Sequence, residues 1–334
     1  DGVTGTQIWA ERFDGDLDDV FAVQDRIVDA VAARVAPSVG ASELGRSRRE
    51  RPASVAAYDI LLRAKADLDD ESEPSNRRAF SLLQKALETD PDNAAILCHA
   101  AWALEHRHTM GWPPLGEDDA GLCLRLTHRC LQQARSNARF SAQCAINLMQ
   151  VGRDYAAAIA IARAAAQTNP RDPMVAAVAG VVAIHCGTLE EAELHLRRVL
   201  DLAPLDADTR FALCGLAMIA LIRNDYDRAQ ALAGHALAVN PSFDASHWML
   251  IAGCALSGQR DEAARRLEIY RKLSPDVTIS SIRRGQPAMI PGRIEPVLAC
   301  RDEIVELIKQ NLGVGGDTIN ELVAQRTAGE GIEL

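Results

Sequence analysis

Residues 155–204 read YAAAIAIARAAAQTNPRDPMVAAVAGVVAIHCGTLEEAELHLRRVLDLAP. Three helix-length runs rich in Ala, Val, Ile and Leu are separated by TNPRD and CGTLE. Proline cannot continue a helix, and it drives the residue before it out of the helical region. Pro170 and Pro204 therefore each end a helix and turn the chain, and they stand 34 residues apart. Between them fit two helices joined by a short Gly-containing turn.

The same punctuation recurs on both sides. TDP ends at Pro91, VNP at Pro241 and LSP at Pro275, so the last four closing prolines are spaced 34, 37 and 34 residues apart. The first gap, 79 residues, exceeds two such periods by 11, which matches a loop inserted at Gly111–Gly121, GWPPLGEDDAG. Twelve residues before each closing proline stand Ala79, Ala158, Ala192, Ala229 and Ala263. A small residue at one fixed phase marks the point where two helices cross closely. Five residues before each proline come Ala86, Ala165, Val199, Ala236 and Tyr270, and Gly180 lies 24 before Pro204.

This phase predicts six helical pairs: Val55–Asp70 with Pro74–Thr89, Asn93–Thr109 with Glu117–Ala134, Ala138–Val151 with Tyr155–Thr168, Pro173–Cys186 with Leu189–Leu202, Ala207–Arg223 with Tyr226–Val239, and Phe243–Ser257 with Asp261–Leu273. A period of 34 with a closing proline resembles the tetratricopeptide (TPR) repeat over Val55–Pro275. The expected fold is an all-α repeat solenoid. Only 4% of the 334 residues are aromatic, as suits stacked, alanine-rich helices.

The ends read differently. Gly5–Phe13, GTQIWAERF, alternates apolar and polar residues and predicts a strand, and Leu17–Val35 predicts a helix. Together they read as the closing elements of an α/β domain over residues 1–36, followed by a linker over 37–54 that holds RSRRER. The array is expected over 55–275 and a tail over 276–334. In the tail, Ile294–Leu312 predicts a helix that caps the last pair or lies in the groove. A chain that opens at Asp1 is expected to be a piece of a longer protein.

A narrower resemblance rests on GTQIWAERFDGDLDDVFAVQDRIVDAV at Gly5–Val31, VAAYDILLRAKA at Val55–Ala66 and IRRGQPA at Ile282–Ala288. These are similar to the junction of a TolB-like domain with a TPR region in bacterial class III adenylate cyclases. The resemblance implies a regulatory or scaffolding region whose cyclase domain lies upstream, outside this chain. The same arrangement follows winged-helix regulator domains, so a transcriptional regulator is the alternative.

Chemistry is sparse. A cyclase needs paired aspartates on metal ions, but Asp14, Asp16, Asp18 and Asp19 crowd one turn and read as helix N-terminal charge. His106 and His108 are two apart and point to different helix faces, so they read as packing. His185 beside Cys186 fails as a metal pair for the same reason, and Cys123 and Cys130 read as core. GxxxxGK[ST] and GxSxG motifs do not occur. The expectation is no enzyme activity in this chain, and neither cofactor nor metal. A net charge of −10 disfavours nucleic acid, no apolar run reaches a membrane span, and eight cysteines without C-x-x-C suit a reducing cytoplasm.

What remains is a surface. The TPR pattern places the second, fifth, ninth and twelfth residues of each repeat on the concave face. By that register Phe140, Gln143, Asn147 and Gln150 face inward, followed by Met174, Ala177, Val181 and Ile184, and at the end by Ala245, Trp248, Ala252 and Ala255. An apolar groove flanked by amides is expected to hold a protein or peptide, or another domain of the same polypeptide. Of the Lys, Asn and Arg set that clamps a peptide carboxylate in such domains, Asn147 alone matches, so that mode is not expected.

Overall fold

The structure is a computed structural model and describes residues 57–134, 137–204 and 209–274. The expected strand at Gly5–Phe13, the helix at Leu17–Val35, the linker and the tail helix lie outside these residues.

The described residues form twelve helices in six antiparallel pairs. These are α1 (Ala57–Asp69) with α2 (Glu73–Thr89), α3 (Ala94–Met110) with α4 (Asp119–Gln133), and α5 (Ala138–Gln150) with α6 (Tyr155–Thr168). They continue as α7 (Pro173–Cys186) with α8 (Leu189–Leu202), α9 (Thr209–Ile222) with α10 (Tyr226–Val239), and α11 (Asp244–Leu256) with α12 (Arg260–Leu273). Short polar side chains start many of them. Asn93, Asp172 and Thr188 are N-caps whose side-chain oxygens accept from the first-turn N–H groups that have no intrahelical partner.

Each pair stacks on the next, and the odd-numbered helices also touch one another in succession, from α1 to α11. The odd helices thus form the inner wall of a superhelix and the even helices its outer layer. The alanine column sits where the helices cross: Ala79, Ala158, Ala192 and Ala229 are fully buried and Ala263 nearly so. Leu196 of α8 shows why small residues are needed there. A Cβ at Gly180 would stand 2.5 Å from Leu196 Cγ, and one at Gly215 would stand 2.8 Å from Leu196 Cδ1. The two glycines therefore let α7 and α9 close around one buried leucine.

The insertion begins where Gly111, at φ 69°, ends α3 in the left-handed region. It is tied down by Arg107, which is only 2% exposed. Arg107 Nε donates to Pro113 O at 2.8 Å, Nη1 to Asn76 Oδ1 at 3.1 Å, and Nη2 to Glu73 Oε1 at 2.7 Å. The insertion is therefore packed against the second helix of the first pair, and it buries Trp112.

Candidate protein-binding cavity

Residues three and four apart share a helix face, and on the inner wall those faces converge. α5 contributes Gln143, Ile146 and Gln150; α7 contributes Met174, Ala177, Val181 and Ile184; α9 contributes Phe211, Cys214 and Met218; α11 contributes Ala245, Trp248 and Ala252. α3 adds Trp102, Glu105, His106, Thr109 and Met110, and α12 adds Tyr270. Together they line a partly open cavity of about 200 Å³.

Of the residues expected on the concave face, Gln143, Gln150, Met174, Ala177, Val181, Ile184, Ala245, Trp248 and Ala252 line this cavity. Three are placed elsewhere. Asn147 is fully buried between α5 and α4, where its Nδ2 donates to Thr127 Oγ1 at 3.0 Å. Phe140 is half-buried and packs on the core of the first three pairs. Both are rotated around α5, toward α4, from the face carrying Gln143, Ile146 and Gln150. Ala255 is in the core. Most of the lining residues that the repeat register did not name come from α3 and α9. The α9 set had a signal, because Phe211 stands 37 residues after Met174, the spacing of Pro204 from Pro241. The α3 set did not, because the insertion breaks the count.

The large side chains of an alanine-rich protein gather here. Of six methionines, Met110, Met174, Met218 and Met249 line the cavity, with Trp102, Phe211, Phe243, Trp248 and Tyr270. Random placement over an inner and an outer surface would not collect them on one wall. Trp248 and Tyr270 meet edge to face at 5.0 Å, and Phe211 and Phe243 do so at 5.3 Å.

Behind this wall lies a buried ionic cluster. Glu71, in the turn between α1 and α2, is 4% exposed and adopts φ 54°. Its Oε1 accepts from Arg210 Nη2 of α9 at 3.0 Å, across 139 residues of sequence, and its Oε2 lies 2.6 Å from His106 Nε2. The other ring nitrogen of His106 lies 3.3 Å from Glu105 Oε2. Burial pushes the Glu71 carboxyl up, but the cations of His106 and Arg210 outweigh it and hold the group below its ordinary value. Burial pulls His106 toward neutrality, but Glu71 and Glu105 overcome it and raise the imidazole to about 10. Asp244 of α11 is pushed by burial up to about 6. The hydrogen bond from Ser274 Oγ at 3.0 Å and the neighbouring Tyr270 and Trp112 side chains restrain the rise, and the charge of Glu71 adds to it. The guanidinium of Arg210 also lies 4.3 Å over the Phe211 ring.

Glu71 and Arg210 thus clasp the first pair to the fifth, and Trp112 of the insertion lies near Asp244 of the sixth. The inner wall is drawn into a chamber. Among the described residues, no group of three His, Cys, Asp or Glu side chains is placed to hold a metal ion. Among them also, no helix is long and apolar enough to cross a membrane. The seven described cysteines are all free.

The tetratricopeptide repeat family model matches residues 145–207 and 214–277, together well under half of the chain. A 104-residue stretch is 34% identical to "Putative adenylate cyclase 3" of Rhizobium meliloti (strain 1021), covering 31% of this chain and 17% of that protein. The chain thus spans less than a fifth of that relative. Among solved structures, the human IFIT1 dimer with m7Gppp-AAAA is similar with a TM-score of 0.52 at 12% identity, over 86% of this chain and 73% of that one. Pseudomonas aeruginosa pilF is similar with a TM-score of 0.42 at 18% identity, over 68% and 95% of the respective chains. The first of these structural likenesses carries fold alone, and it agrees with the stacked pairs described above. Residues 145–207 and 214–277 are tetratricopeptide repeats, set in an all-helical solenoid.

Proposed function

We propose that this chain is a non-catalytic protein-binding and regulatory region of a larger bacterial signalling protein with adenylate-cyclase-like architecture. The array of residues 55–275 holds a protein or peptide partner, or another domain of the same polypeptide. A TolB-like α/β remnant over residues 1–36, the linker over 37–54 and the capping tail over 276–334 belong to the same reading, as does a cytoplasmic location.

The observation that carries it is the inner wall. Aromatic and methionine side chains, the types that supply most interface energy, line one chamber of a protein otherwise built on alanine. Met174, Val181 and Trp248 are each only partly buried. The partial likeness to a protein named as a cyclase supports the signalling context.

The test is capture from a lysate of the source cell by the immobilised chain and by a Val181→Arg variant, after both are shown to be equally helical. A specific partner retained by the first and lost by the second supports docking on the inner wall. Equal retention by both moves the docking site elsewhere. Cyclic AMP made by the purified chain would overturn the non-catalytic reading.

A further inference from the structure

We infer that the cavity is a pocket for one guanidinium-bearing side chain, an arginine of the docked partner. This rests on the docking reading above and names the chemistry of its anchor.

Size comes first. A cavity of 150 Å³ holds a benzene ring, so about 200 Å³ takes one long side chain. The Glu71–Arg210 clasp holds the first pair against the fifth behind this cavity.

Polarity comes next. Gln143 lines the cavity and is 8% exposed, yet its side-chain amide makes no hydrogen bond to any described residue. Its polar atoms are not sealed away in the protein, so the amide can bond a guest in the cavity. Glu105, on α3, also lines the cavity and is 3% exposed, and its contact with His106 is long at 3.3 Å. A carboxylate has about four lone-pair sites, so Glu105 keeps acceptor capacity toward the cavity. The two acceptors stand on neighbouring inner helices, α3 and α5. They can receive the forked donors of one planar cation.

Charge agrees. Glu71, Glu105 and Asp244 set three carboxyl groups against the two cations of His106 and Arg210, and the adjoining Arg107–Glu73 pair adds nothing net. The chamber therefore favours a positive guest. Its remaining lining suits an aliphatic stem and a flat cation: Met174, Val181 and Met218 for the stem, and the Trp102 and Trp248 rings for stacking.

The full chain is titrated calorimetrically with butylguanidinium and with its near-isosteric neutral partner butylurea. We expect the cation to bind about tenfold more tightly than the urea, because charge-assisted hydrogen bonds are roughly twice as strong as neutral ones. Glu105→Gln should erase the preference and Gln143→Leu should weaken the cation several-fold, with helicity and melting of both variants checked alongside. Ala252→Leu, which fills the cavity without touching either acceptor, should abolish binding of both probes. Equal affinity for urea and guanidinium overturns the proposal, as does a preference that survives in Glu105→Gln. If neither probe binds while Val181→Arg still abolishes partner capture, the anchor chemistry is wrong and the docking reading stands. If the probes bind as expected but partner capture is indifferent to Val181→Arg, the anchor chemistry holds for the pocket and the docking reading fails.

Discussion

At the scale of single residues, the ionic cluster is the part that sequence patterns did not show. His106 reads as an ordinary helix histidine, because His108 is too close in sequence to join it on one face. Its role depends on Glu71 and Arg210, which approach only when five pairs are stacked. The sign of its pH effect is fixed. The folded imidazole is raised to about 10 from 6.5, so the folded chain keeps a proton that the unfolded chain releases between those values. Its stabilisation is complete below pH 6.5 and is lost as pH rises toward 10. The melting temperature should therefore fall between pH 7 and pH 10 more steeply in the wild type than in His106→Gln. Buried thiols such as Cys214, pushed by burial up to about 12, contribute a slope common to both proteins. Parallel slopes would place the imidazole outside the ion pairs.

At the scale of the element, the sequence is nearly transparent. A closing proline and an alanine twelve residues before it place each helical pair, because one helix end and one helix crossing are local chemistry. The six pairs fall within a few residues of the expected bounds. Inner-face positions are less legible. Asn147 shares approximate helical phase with Gln143, yet the hydroxyl of Thr127 on the preceding helix draws it away from the groove. The crossing points give the sharpest prediction. Ala192 is fully buried, and Leu196 beside it is already held between Gly180 and Gly215. Ala192→Leu should cost about 1–3 kcal/mol, the usual range for overpacking. The loss of amide protection by hydrogen exchange should concentrate in α7, α8 and α9, because a repeat contacts mainly its neighbours. Protection lost evenly from α1 to α12 would contradict that.

At the scale of the whole molecule, the period predicts a solenoid, and the contact between its first and fifth pairs could not be read from it. Whether the inner wall becomes a chamber depends on small rotations at every interface between pairs, which no spacing of prolines encodes. The clasp should make unfolding more cooperative than in an array held by nearest neighbours alone. Arg210 and Glu71 are each about 1% exposed at the side chain. Removing one partner of such a pair strands a buried charge and costs about 3–5 kcal/mol. Arg210→Met should lower the denaturation midpoint and broaden the transition, with α1 and α2 melting before the rest. A single transition, sharp and coincident by all probes, would mean that the clasp does not couple the ends.

The clasp also acts as a gauge. Arg210 meets Glu71 only when the rotations between five successive pairs add up to one particular angle. An error of a few degrees at any single interface is carried forward to the far end, where it becomes a displacement of ångströms. The ion pair therefore reads the summed pitch of the helix, much as a ring closes only when its bond angles total correctly. Insertions that leave every local contact intact are then not neutral. One extra pair grafted between α6 and α7 would preserve all neighbouring interfaces and still carry Arg210 past its partner.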